Sequence, residues 1–244
     1  MTTNTTAVSP RLHYIYDPLC GWCYAAAPLI HAAADIAGLA IELHAGGLLV
    51  GEHRRAITPQ WRDYVLPHDR RIAELTGQPF GAAYTDGLLC DTAYVLDSEP
   101  PISAVLAARV LAGGAGRAGL ALLERLQRAH YVEGLRIADP VVLTELAVEL
   151  GYAATAFADA CRQMAGAIAQ AHIAASRRLL QRVGGQGFPT VALSLAGEAP
   201  QRIDIGRFLG RVDDWRAQLA VALASVLPAE TGTAPFCAPG GGDC

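Results

Sequence analysis

Two cysteines, Cys20 and Cys23, stand where a strand gives way to a helix, and that placement restricts the chain more than any other feature of its 244 residues. Upstream, Arg11 to Asp17 (RLHYIYD) mixes β-branched, aromatic and leucine side chains and reads as a buried strand, which Asp17-Pro18 ends. Downstream, Gly21 to Gly38 is alanine-rich and helical, with a kink expected near Pro28. Leu39 to Leu43 gives a second strand, closed by Gly46 and Gly47. Strand, helix and strand at this spacing form a βαβ unit with parallel strands.

The position of Cys20-Gly21-Trp22-Cys23 gives the motif its chemistry. At a helix amino terminus the first amide N–H groups lack intrahelical partners and the macrodipole is positive, so a thiolate at Cys20 is stabilised. Cys23, one turn into the helix, is expected to be more buried and less ionised. That asymmetry suits a redox pair, with Cys20 attacking a disulfide and Cys23 resolving the mixed disulfide. A CxxC also serves as half a zinc site, or as two inert thiols; the adjoining βαβ pattern favours redox work.

From Pro59 to about Val183 the apolar spacing is helical. Candidate helices are Trp61–Thr76, Pro101–Leu111, Ala118–Tyr131, Pro140–Leu150, Ala153–Met164 and Ala165–Arg182. Asp139-Pro140 reads as an N-cap with proline at the first helical position, and Gly151 as a helix end. Strands return at Phe188–Leu195 and Pro200–Ile205, close enough for an antiparallel hairpin, and a helix from Arg207 to about Leu227 follows. The expected architecture is α/β: a thioredoxin-like βαβ…ββα layout, split between residues 11–58 and 184–227. An all-helical insertion occupies residues 59–183, and a cysteine-containing tail residues 228–244.

Gly187-Phe188-Pro189-Thr190 opens a strand that otherwise reads as central. Proline cannot donate to a sheet ladder, so it belongs at the strand's start. A cis Phe188–Pro189 bond would bring this segment beside the sulfurs, an expectation that rests on the CxxC, because most X–Pro bonds are trans.

A strand leading to Cys20-Gly21-Trp22-Cys23, a helical insertion, and Gly187-Phe188-Pro189-Thr190 opening the third strand together resemble the DsbA family. The likeness is greatest to its cytoplasmic branch of predicted protein-disulfide isomerases. Tyr131-Val132-Glu133-Gly134 and Ile137-Ala138-Asp139 are similar to the family's insertion helices. The resemblance spans about Arg11 to Leu227. It implies a thiol–disulfide oxidoreductase with nucleophilic Cys20, resolving Cys23, and a cis-Pro189 that, with Phe188 and Trp22, docks substrate chains. The Gly-Trp dipeptide departs from the histidine that precedes the second cysteine in the periplasmic oxidant. Reductase, isomerase or thiol-repair work is therefore expected over bulk disulfide formation.

Two other classes stay open. One is a glutathione-dependent isomerase or transferase of related fold acting on a small molecule; its relatives typically carry serine where Cys20 stands. The other is a zinc-stabilised binding module using Cys20, Cys23, Cys237 and Cys244. The tail pair Cys237 and Cys244 also admits a role as an auxiliary redox shuttle, or none. No metal and no resident cofactor are otherwise expected, with glutathione the candidate co-substrate and protein or peptide disulfides the partners.

Outside the motif, Cys90 and Cys161 read as small core residues. Asp17 reads as a turn former that can also tune the nearby thiols. His44 reads as a structural histidine. His53-Arg54-Arg55 and His68-Asp69-Arg70-Arg71 read as solvated runs, or as a basic rim for a carboxylate. Trp61, Tyr64, Phe80 and Tyr84 serve either as core or as the lining of a peptide groove.

Composition removes several classes. The formal net charge of −4 argues against nucleic-acid binding. All 19 basic side chains other than histidine are arginine, which we ascribe to genome composition. No apolar run approaches the ~18 residues that span a bilayer. Met1–Pro10 is polar, without the charged start and apolar stretch of a secretory signal, so the expected compartment is the cytoplasm. Structural disulfides are rare there, and the six cysteines need another explanation.

Overall fold

A computed structural model of the chain describes residues 9–114, 116–195 and 197–224. Its central sheet has four strands in the order β2-β1-β5-β6, formed by β1 (Arg11–Tyr16), β2 (Ala40–Ala45), β5 (Thr190–Ser194) and β6 (Gln201–Ile203). β1 runs parallel to β2 with Tyr14 opposite Leu43, and antiparallel to β5 with Tyr14 opposite Val191. β5 and β6 are the expected antiparallel pair. The central strands β1 and β5 are almost wholly buried, which is why they read as continuous apolar runs rather than alternating ones.

Helix α1 (Gly21–Ala34) connects β1 to β2 and passes through Pro28 without a break. The proline has no N–H for the carbonyl of Tyr24, four residues back, and the Gln78 side-chain amide donates to that oxygen instead at 2.9 Å. On the buried side, the Trp215 indole N–H donates to Leu29 O at 2.8 Å, fixing α8 (Val212–Leu223) against α1. Trp215, Tyr14, Leu29 and Ile30 are among the least exposed side chains, each worth roughly 1.5–3 kcal/mol of transfer free energy.

Between β2 and β5 the chain forms α2 (Pro59–Thr76), α3 (Glu99–Leu111), α4 (Gly116–Tyr131), α5 (Pro140–Glu149), α6 (Ala154–Met164) and α7 (Ala167–Arg182). Their starts follow local chemistry. Thr58 caps α2 by accepting from Trp61 N at 3.1 Å, and Asp139 caps α5 by accepting from Val141 N at 2.8 Å, with proline at the first helical position of each. The helical reading of this region needs one correction. Arg55–Ala56 (β3) and Val95–Leu96 (β4) pair as a small antiparallel ribbon, too short to leave a period of two in the sequence. The closing helix is also shorter than expected, because a 3₁₀ turn at Ile205–Phe208 and Gly210, at φ 75°, precede it.

Candidate active site

Cys20 is the N-cap of α1, with extended backbone (φ −94°, ψ 113°) and no side-chain capping bond, so its thiol is not spent on the helix. Its carbonyl accepts the first helical bonds, from Cys23 N at 2.9 Å and Tyr24 N at 3.1 Å. Gly21 is the first helical residue because a side chain there would press on Ile72 and Asp69 of α2; a Cβ would lie 3.2 and 3.3 Å from them.

The two thiols differ as expected. Cys20 is 7% exposed and Cys23 0%. Burial, reinforced by the neighbouring Cys20 sulfur, pushes the Cys23 thiol well above the usual range. Below it, the Tyr14 hydroxyl donates to Cys23 O at 3.0 Å and anchors the first turn of α1 to β1.

The Phe188–Pro189 bond is cis, as expected. Phe188 O accepts from Cys20 Sγ at 3.5 Å, so the residue before the cis-proline faces the outer sulfur. The Phe188 ring lies over Gly46, where a Cβ would stand 2.1 Å from the ring; only glycine fits. Arg177 of α7 clamps this corner, donating to Gly46 O at 2.8 Å and Gly47 O at 2.6 Å. Trp22, Phe188, Pro189, Thr190, Arg202 and Asp204 line a cleft of about 260 Å³ between the first turn of α1 and the cis-proline. Trp22 is half-buried in the first turn of α1, with the Arg71 guanidinium 5.9 Å from its ring centre.

Asp17 is more than a turn former. It is fully buried and accepts three hydrogen bonds: from Leu19 N at 2.9 Å, Ser98 Oγ at 2.9 Å and Leu48 N at 2.6 Å. Burial raises its carboxyl, and the two amides pull it back. Asp17 thus joins the start of α1 to the loop after β2 and to the residue before α3.

Other expectations need adjustment. Cys90 is exposed, because Leu88 and Leu89 take the inward positions of its 3₁₀ turn. Cys161 is half-buried at the edge of the insertion, and burial pushes its thiol up to about 11. His44 lies within β2, its Nε2 3.0 Å from His13 Nδ1. Tyr84 is core and Phe80, partly buried, packs against it: they close an aromatic cluster with Tyr24 and Tyr131, whose rings stack at 4.8 Å. Tyr64 is exposed and Trp61 half-buried under Arg55, so only these two face outward. Asp69 departs from the solvated run that holds it; it is 5% exposed and packs on Gly21. Sequence reasoning gave it no separate role, and its only signal was helical spacing that puts it beside apolar Ile72. Cys237 and Cys244 lie outside the described residues. Among the described residues, no group of three or more histidine, cysteine or acidic side chains is placed to hold a metal ion.

A dithiol at a helix head, its outer sulfur against the carbonyl of the residue before a cis-proline and its inner one sealed, is built to exchange disulfides through a mixed-disulfide intermediate. With this sheet order and a cis-proline opposite the outer sulfur, the class is a thiol–disulfide oxidoreductase of thioredoxin-like fold with a helical insertion. Neither a protein-family model nor a curated protein matches the sequence. Solved structures do. The cytosolic disulfide reductase DsbM from Pseudomonas aeruginosa is 52% identical, with 88% of this chain and 99% of that one covered and a TM-score of 0.81. The same protein solved with glutathione gives 50% identity, 88% and 99% coverage and a TM-score of 0.79. A putative protein disulfide isomerase from Nitrosomonas europaea shares the fold at 24% identity, with 90% and 100% coverage and a TM-score of 0.72. The chain belongs to the DsbA family.

Proposed function

We propose that this protein is a cytoplasmic disulfide reductase in which Cys20 is the nucleophile, Cys23 the resolving thiol and glutathione the electron donor. The observation that carries the assignment of roles is the contrast between the two thiols. Cys23 is sealed and held as the neutral thiol, whereas Cys20 sits at the helix head with its sulfur donating to Phe188 O. The Pseudomonas aeruginosa relative is described as a cytosolic disulfide reductase and was solved with glutathione, which supports the compartment, the direction and the donor.

The Cys20 thiolate attacks one sulfur of a substrate disulfide, and the other sulfur leaves as a thiolate that takes up a proton. Cys23 loses its proton and attacks Sγ of Cys20, releasing the second substrate thiol and leaving the Cys20–Cys23 disulfide. The substrate has gained two electrons and two protons. Two glutathione molecules then reverse the sequence on the enzyme and depart as glutathione disulfide. The backbone of a peptide or of glutathione would lie along Phe188 and Thr190, with Arg202 and Asp204 offering one charge of each sign to its ends.

The test separates the two cysteines. In Cys23→Ala, incubation with glutathione disulfide is expected to leave one glutathionyl group on Cys20, resolved only slowly, while Cys20→Ser takes up none at the motif. Peptide mass mapping reads the outcome. An adduct on Cys23 in Cys20→Ser, with none on Cys20 in Cys23→Ala, would overturn the assignment.

A further inference from the structure

Asp69 is a buried acid that the exchange steps do not use, and its surroundings give it no structural need for a charge. It lies on α2, 5% exposed. The Tyr84 hydroxyl donates to its Oδ2 at 3.0 Å, and its Oδ1 faces Gly21, 3.3 Å from where a Cβ would stand. Among the described residues no arginine pairs with it; burial is the leading influence on the carboxyl and the Tyr84 hydroxyl opposes it. A carboxylate in this place sits against the very end of α1 whose positive dipole favours the Cys20 thiolate.

We propose that Asp69 is a positioning residue that sets the direction of exchange: its negative charge beside Gly21 disfavours the Cys20 thiolate and so makes the dithiol the better reductant. The inference rests on the exchange reading above and deepens it. A dithiol is strongly oxidising when its reduced form is stabilised, chiefly through the thiolate. A fixed negative charge in a water-poor site against the first residue of the same helix acts in the opposite sense, because like charges disfavour one another's ionised forms. The Gly-Trp dipeptide supplies no compensating imidazole.

Among the described residues, the buried groups that face Asp69 keep one charge state while it changes its own; His68, beside it on α2, is exposed. Tyr84 and Tyr131 are held up by burial, and His130, stacked edge-on to both, is pushed down to about 4. All three are therefore neutral from pH 5 to 8, while burial lifts Asp69 to about 6. On α1, Cys23 stays neutral, and Cys20 is the group acted upon. Arg70 and Arg71 of α2 are exposed, with Arg71 turned to Trp22. Asp17, the other buried acid near the motif, has donors on both oxygens.

The experiment equilibrates full-length protein and Asp69→Asn with reduced and oxidised glutathione at pH 8 and pH 5, from both starting states, and counts the Cys20–Cys23 disulfide by thiol trapping. Asparagine keeps the shape and can still accept from Tyr84. At pH 8 the substitution is expected to move the equilibrium about tenfold toward the dithiol, a rise of ~30 mV. At pH 5, where the native carboxyl is protonated, the two proteins should agree within about twofold. Tyr84→Phe, which lets Asp69 hold its proton longer, should show part of the shift at pH 6.5 and little at pH 8. Equal potentials at pH 8, or the same displacement at both pH values, would overturn the inference while leaving the exchange reading intact. A native protein that forms no Cys20–Cys23 disulfide under any buffer would instead remove the exchange reading, and this inference with it.

Discussion

At the scale of single residues, the site is made by what is missing as much as by what is present. Gly46 lets the Phe188 ring lie on the backbone, and the main chain of the same residue carries the carbonyl opposite Cys20. A Gly46→Ala substitution puts a methyl 2.1 Å from the ring, so Phe188 must turn away. The overpacking cost is about 1–3 kcal/mol, small beside a domain's buried core, so the fold should survive. The expected result is a roughly tenfold slower reduction of a peptide disulfide, since 1.4 kcal/mol of lost positioning is a factor of ten. Unchanged rates in a folded Gly46→Ala protein would show that the ring does not place the substrate. Much of this residue pattern was legible beforehand. Cys20, Cys23 and Pro189 declared themselves because a CxxC and a strand-opening Phe-Pro have few other uses in a βαβ…ββα chain. Asp69 and Cys90 did not. A lone acid among histidine and arginines looks solvated until Gly21 offers it a cleft, and the side of a short 3₁₀ turn on which Cys90 falls has no periodicity to reveal it.

At the scale of elements, α2 matters because one face closes over the motif while the other meets solvent. Ile72 and Asp69 point inward, and Tyr64, His68 and Arg71 outward. The start of α2 is independent of that duty. Thr58→Ala removes the acceptor for Trp61 N and is expected to cost about 1 kcal/mol in urea unfolding. The Cys20–Cys23 potential should stay where it was. A potential that moved with the cap would mean that α2 acts on the thiols through its placement rather than through the Asp69 charge. The helices of the insertion were readable in number and extent because their caps and breakers are local: Thr58-Pro59, Asp139-Pro140, Gly151. The β3–β4 ribbon was not, since it joins Arg55–Ala56 to Val95–Leu96 across a long stretch of chain with only two residues on each side.

At the scale of the whole molecule, the insertion is held to the sheet by neutral histidines, and that gives the protein an acid limit. His172 of α7 accepts from Ala45 N at 3.0 Å through Nε2, a bond that only an unprotonated imidazole can accept. His44 on β2 is pushed down to about 3 by burial, with His13 and His172 adding to the effect, and burial puts His172 and His130 at about 4. In the unfolded chain these side chains bind protons near pH 6.5. The unfolded state therefore takes up more protons as the pH falls from about 6.5 toward 4, and the native state loses stability over that window. Two carboxyls oppose this. Asp69 and Asp17, raised by burial, hold protons in the native state that the unfolded chain binds only at lower pH. Burial lowers His13 on β1 as well, and four imidazoles against two carboxyls leave a net loss on acidification. The urea midpoint at pH 5 is expected to fall below that at pH 7.5, with an unchanged m-value. Hydrogen exchange should show α7 and the outer edge of β2 among the first segments to open, because the Ala45–His172 bond joins them. A midpoint that rises on acidification would mean that the two carboxyls outweigh the histidines. It would also make the charge at Asp69 the larger electrostatic cost of this fold.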